Sequence, residues 1–203
     1  MLVAVATFVF AAVLIILLPG PDTLVVVRSI LRGGRKRGVA TAAGIMVGLS
    51  IWVSAAALGL SALLRASEVG YDVLRFAGAA YLVWLGVTAI RSRNDQTKDL
   101  DDGRRGITGT GFTAGLVTNL LNPKVGIFFV TFLPAFVPHG APVGLTSLLF
   151  GGIFILLTIG YFAVLIAIAT KVTNWMSRPT TRRRLDTITG GIFIAFGIRL
   201  ATE

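Results

Sequence analysis

The sequence predicts an all-α membrane protein: six transmembrane helices built as two inverted-topology three-helix repeats, with broken helices at 19–22 and 119–124. Three observations predict it. Of 203 residues, 55% are hydrophobic and 14% charged, whereas soluble domains carry about 25% charged residues. The mean hydropathy is +0.84. Six apolar segments alternate with polar stretches, and the basic residues fall in every other connection. The first segment of each half is interrupted by proline beside polar residues.

The segments run over about 2–27, 39–64, 73–90, 110–134, 143–169 and 185–201. Crossing a hydrocarbon core of about 30 Å takes about 20 helical residues, and five segments meet that. The sixth is weaker, with a clean apolar stretch only from Ile188 to Ile198, between Asp186 and Arg199. It crosses with both charges at the interfaces, or it re-enters. Residues 2–18 lack the basic start and the cleavage pattern of a signal peptide, so the first segment reads as retained. The longest polar stretch, Arg91 to Thr110, has loop length. The expectation is therefore one transmembrane domain over 1–203: repeat 1 at about 1–92, a cytoplasmic loop at about 93–109, and repeat 2 at about 110–203.

The loops set the orientation. Stretches 28–38, 91–110 and 170–184 carry five Lys or Arg each, while 65–72 has Arg65 alone and 135–142 has none. Basic loops stay cytoplasmic. Both termini are then outside. The net charge of +10 belongs to these blocks and does not point to nucleic acid as a partner. The lipid bilayer is the expected surrounding, and a homo-oligomer is compatible with the sequence.

The repeat shows when "LLPGP" (17–21) is laid over "LLNPK" (120–124), which also puts Gly48 on Gly151. A second match lays "AAYLVWLGV" (79–87) over "GGIFIAFGI" (190–198), with Gly86 on Gly197. Three spans per half force the second half to run opposite to the first. Paired interruptions in matching spans of inverted repeats point to a transporter's binding site.

The first interruption is "ILLPGPDTLVVV" (16–27). Pro19 and Pro21 remove two amide donors and block the preceding turn, and Gly20 permits unusual dihedrals. The helix restarts at Pro21, since proline suits the first helical position. The amides of Asp22, Thr23 and Leu24 are then expected free at the positive end of a half-helix, where a carboxylate binds. Asp22 supplies the opposite charge, suited to an ammonium group or a proton. The second interruption, "TNLLNPKVG" (118–126), offers Asn119, Asn122 and Lys124 around Pro123. Asn122 precedes proline and is biased away from helix. Lys124 lies about 14 residues into its span. A charge at the bilayer centre costs about 3 kcal/mol and usually marks a pathway or a pair. Asp22 and Lys124 are the two ionisable residues well inside spans, one at each break. A purely structural ion pair between them is the bland alternative.

Other features read as structural. Gly44, Gly48, Gly78, Gly86, Gly111, Gly115, Gly190 and Gly191 suit close helix packing. Trp52, Trp84, Tyr81 and Tyr161 read as packing or interfacial residues, Asp186 and Arg199 as interfacial, and His139 as solvated in an outer loop.

"LLPGPDTLVVVRSILRGGRKRGVATAAGIMVG", "RFAGAAYLVWLGVTAIRS" and "FTAGLVTNLLNPKVGIFFVTFLPAFV" resemble the lysine exporter and homoserine/threonine resistance family (LysE/RhtB). The resemblance covers almost the entire chain, in order. Its most specific element is the joint occurrence of Pro19-Gly20-Pro21-Asp22 and Asn122-Pro123-Lys124. It implies a bacterial inner-membrane exporter of amino acids or close derivatives, driven by the ion gradient. One feature departs from the family. Many members carry a polar or ionisable residue shortly after the glycine of the second span, and here "VGLSIW" offers only Ser50. With Asp22 the only carboxylate inside a span, a neutral amino acid is the expected zwitterionic substrate. A metal-ion exporter of a related fold is the alternative, and it needs several intramembrane ligands. The chain has no cysteine, and its one histidine lies outside the spans. No HExxH motif or Ser–His pairing suggests an enzyme, and no cofactor or bound metal is expected.

Overall fold

The computed structural model describes residues 2–60 and 110–168 apart from residue 139, with scattered helical positions in 73–90 and 184–198. Most of the described residues are helical, with no strand among them. Helix α1 covers Leu2–Leu17 and α2 covers Pro21–Ala55, continuing into one wide turn at Ala56–Leu60. Helix α3 covers Phe112–Leu120 and α4 covers Pro123–Ile127, extended by a wide turn at Phe128–Phe132 and a tight one at Leu133–Phe136. Helix α5 covers Val143–Ala167.

The expected first segment is helical on both sides of a break at Leu18, Pro19 and Gly20. The expected loop at 28–38 differs. It is helical except at Gly33 (φ −149°, ψ 15°) and Gly34 (φ 72°, ψ −174°). In a straight helix residues 29 and 41 would stand about 18 Å apart. Instead Thr41 Oγ1 lies 2.8 Å from Ser29 Oγ. The chain therefore doubles back at the glycine pair, and α2 is a helical hairpin with two limbs. Gly34 takes a left-handed dihedral that other residues adopt at a cost, which is how so tight a reversal fits between two helices.

Helix α5 is 25 residues long, its most apolar 18-residue stretch has a mean hydropathy of 2.5, and it is long enough to cross a bilayer. Helices α3 and α4 with its extension meet at a 53° bend, where the second interruption was expected. The second limb of α2 packs against α3 through glycines. A Cβ on Gly115 would stand 1.9 Å from the Thr41 carbonyl oxygen, and one on Gly44 would stand 2.0 Å from that of Phe112. Close backbone approach at small residues is how helices associate when lipid is the solvent.

A phenylalanine cluster fills the remaining interior. Phe8 of α1 stacks on Phe150 of α5 at 4.6 Å between ring centres and meets Phe136 edge-on at 5.4 Å. Phe154 lies 4.8 Å from Phe128 and 5.2 Å from Phe129. The outside of α5 is leucine-rich, with Leu145, Leu148, Leu149 and Leu156 exposed. In the third and sixth segments the described positions are helical, and they touch: a Cβ on Gly197 would stand 2.8 Å from the Ala79 carbonyl. Trp84 is exposed. Residues Tyr81, His139, Gly78, Gly86, Gly190, Asp186 and Arg199 lie outside the described residues.

The hairpin tip ties one end of the bundle together. Arg35 donates to the carbonyl of Ala167, at the last turn of α5, at 3.0 Å. Arg37 donates to Thr110 Oγ1, just before α3, at 3.3 Å. The hairpin tip, Thr110 and the last turn of α5 thus lie at the same end.

Candidate functional site

The two breaks meet. Where they meet, one pocket is lined by Gly20, Asp22, Thr23, Asn122 and Lys124 from the breaks. Its cavity volume is about 40 Å³. Asn119 stands behind it and reaches Asp22. Pro19, Pro21 and Pro123 shape the breaks without lining the pocket.

The local geometry follows from missing donors. Gly20 is extended (φ −135°, ψ −167°) and Pro21 begins α2. The Leu24 amide, expected free, bonds the Gly20 carbonyl at 3.0 Å. The amides of Asp22 and Thr23 have no partner among the described residues. The second break caps itself: Asn122 Oδ1 accepts from the Lys124 amide at 3.1 Å, as an N-cap residue does. The two matched breaks therefore differ, and only the first leaves amides open.

Three polar contacts at the site cross from one half of the chain to the other. Asn119 Nδ2 donates to Asp22 Oδ2 at 2.8 Å. Lys124 Nζ donates to the carbonyls of Ile15 at 2.6 Å and Leu18 at 2.7 Å. The hydroxyls of Thr23 and Tyr161 lie 3.2 Å apart. Among the described residues, Asp22 Oδ1 and Asn119 Oδ1 are buried acceptors without a partner. Most of the remaining lining is apolar, including Ile15, Leu49, Phe128, Phe154 and Phe162. Among the described residues no cluster of three His, Cys, Asp or Glu could hold a metal. The arrangement offers a small bipolar molecule one negative charge, one positive charge and an apolar wall.

The family model for LysE type translocators matches residues 13–203. The chain belongs to that family. This LysE chain is 30% identical over 196 residues to the uncharacterized membrane protein YrhP of Bacillus subtilis, covering 93% of each. It is 30% identical over 198 residues to a leucine efflux protein of Enterobacter, covering 97% of this chain and 94% of the relative. A leucine efflux protein of Klebsiella pneumoniae is 29% identical over 201 residues, covering 97% of this chain and 93% of the relative. No solved structure matches the chain. The family is thus the one that the two break motifs resemble.

Sequence reasoning missed α5 in this LysE site. Tyr161, read as a packing residue, lines the pocket together with Thr158, Phe154 and Phe162. The available signal was spacing. Phe154, Thr158 and Tyr161 recur at intervals of four and three, which puts them on one helix face. Trp52 does pack: its ring lies against Gly126, and Nε1 donates to the Asn119 carbonyl at 3.4 Å.

Proposed function

We propose that this LysE type translocator is a secondary transporter that exports neutral, apolar amino acids or close derivatives across the bacterial inner membrane, driven by the proton gradient. One observation carries the reading. A carboxylate and an ammonium group, one from each broken helix, line a single pocket whose other walls are mostly aliphatic and aromatic, with Thr23, Asn122 and Thr158 among them. The relatives named leucine efflux protein support an apolar side chain on the substrate. In this reading the substrate ammonium meets Asp22 Oδ1. The substrate carboxylate meets the open amides of Asp22 and Thr23 at the start of α2, in the positive field of that helix end and of Lys124. Its side chain lies among Leu49, Phe128, Phe154 and Phe162. Asp22 also takes the coupling proton once the ammonium has left.

The same reading includes six spans in two inverted three-helix repeats, with the basic end of the bundle in the cytoplasm and both termini outside. The bonds from Arg35 to Ala167 and from Arg37 to Thr110 support a common side for the basic stretches. Efflux from preloaded vesicles tests it. Leucine, isoleucine and valine should leave faster than lysine or glutamate, and a protonophore should stop them. A vesicle that releases divalent metal ions and no amino acid sinks the reading and favours the metal-ion exporter.

A further inference from the structure

Lys124 has a duty that the first break imposes. In an uninterrupted helix the carbonyl of residue i accepts from the amide of residue i+4. For Ile15 that residue is Pro19, which has no N–H. For Leu18 it is Asp22, which lies beyond the extended Gly20. Lys124 Nζ donates to both carbonyls, at 2.6 and 2.7 Å. The negative end of the α1 dipole falls on the same turn, so charge and hydrogen bonding favour the same place. The lysine stem lies along the break as well: a Cβ on Gly20 would stand 3.7 Å from Lys124 Cδ.

We propose that Lys124 is a positioning residue: its ammonium is the C-cap of α1, and it acts on the substrate by fixing the Asp22–Thr23 turn. It does not itself hold the substrate carboxylate. The proposal rests on the export reading above and reassigns one residue within it. A carboxylate that drew the ammonium away would leave two backbone acceptors open where no water replaces the donor. The carboxylate instead takes the amides that the same break leaves open.

The chain has no cysteine, so Gly20→Cys makes a single reporter at the break. A Cβ there meets Lys124 only at ordinary contact distance, and the φ of −135° suits any residue. Alkylation of this variant by N-ethylmaleimide in proteoliposomes, compared at equal thiolate fraction from its pH profile because a neighbouring ammonium raises that fraction, should speed up about tenfold when Lys124→Met is added, the scale of a lost charge-assisted bond. Lys124→Arg should restore the slow rate. An unchanged rate in Lys124→Met overturns the proposal.

In parallel, binding of leucine and leucinamide, which lacks the carboxylate charge, is measured on Lys124→Met without the reporter. Positioning weakens both by the same factor. A loss for leucine with leucinamide unchanged makes Lys124 a direct ligand and overturns the proposal. Faster alkylation with both affinities unchanged reduces Lys124 to a structural cap and also overturns it. If the unaltered protein binds neither compound, the export reading fails, while alkylation still decides whether Lys124 holds the break. Where Lys124→Met does not insert, Pro19→Ala/Lys124→Met replaces it. Residue 19 then has an amide for the Ile15 carbonyl, so insertion should return. Its failure to return counts against the cap.

Discussion

Asp22 holds one carboxylate oxygen against Asn119 and leaves the other buried and open. Asp22→Asn keeps that shape and the bond from Asn119 while removing the charge. Export should be abolished with membrane insertion and thermal midpoint retained, as efflux and thermal unfolding in detergent would show. Tyr161→Phe removes the partner of Thr23, whose side chain is 4% exposed. Leucine affinity should fall about tenfold, the loss expected when a buried hydroxyl loses its bond. Thr23→Val should cost a similar amount, and the double variant no more than either, because both changes remove one interaction. Additive losses in binding titrations would mean that the hydroxyls act separately. These residues differed in legibility. Asp22 stood out because a charge in an apolar run has few uses. Tyr161 did not, because an amphipathic ring is at home both at an interface and in a core.

At the scale of elements, the breaks were legible and the faces were not. Proline removes a donor whatever surrounds it, so both interruptions lie where the prolines put them. The reversal at Gly33–Gly34 was hidden among five basic residues, which read as a loop although the chain is helical on both sides. The inward face of α5 was hidden for another reason. A membrane helix is apolar all round, so periodicity does not separate Phe150 and Phe154 inside from Leu149 and Leu156 outside. Two glycines divide backbone strain from lack of space. Gly34→Ala meets no atom within 4 Å, and only its dihedrals (φ 72°, ψ −174°) are penalised, so thermal unfolding should show a loss of roughly 1–3 kcal/mol. Gly115→Ala drives a methyl group into the Thr41 carbonyl. Helices α2 and α3 must then separate, and the yield of folded protein should drop far more than for Gly34→Ala.

For the whole molecule, the proposed orientation predicts that a reporter fused at residue 100 reads cytoplasmic and one at residue 69 reads periplasmic; the reverse pattern would turn the exporter around. A fusion at the C-terminus reports separately on the sixth segment. Another property of the whole chain concerns time. The acceptors Ile15 and Leu18 lie 109 and 106 residues ahead of the lysine that satisfies them. A ribosome adding about 5–20 residues per second reaches Lys124 roughly 5 to 20 s after Ile15. Over that interval the newborn first span waits in the membrane with two carbonyls bare, at several kcal/mol each. The first half is therefore born incomplete and is finished by the second. A fragment of residues 1–92 synthesised alone should be cleared by membrane proteases, and should persist when residues 110–203 are made beside it as a separate chain.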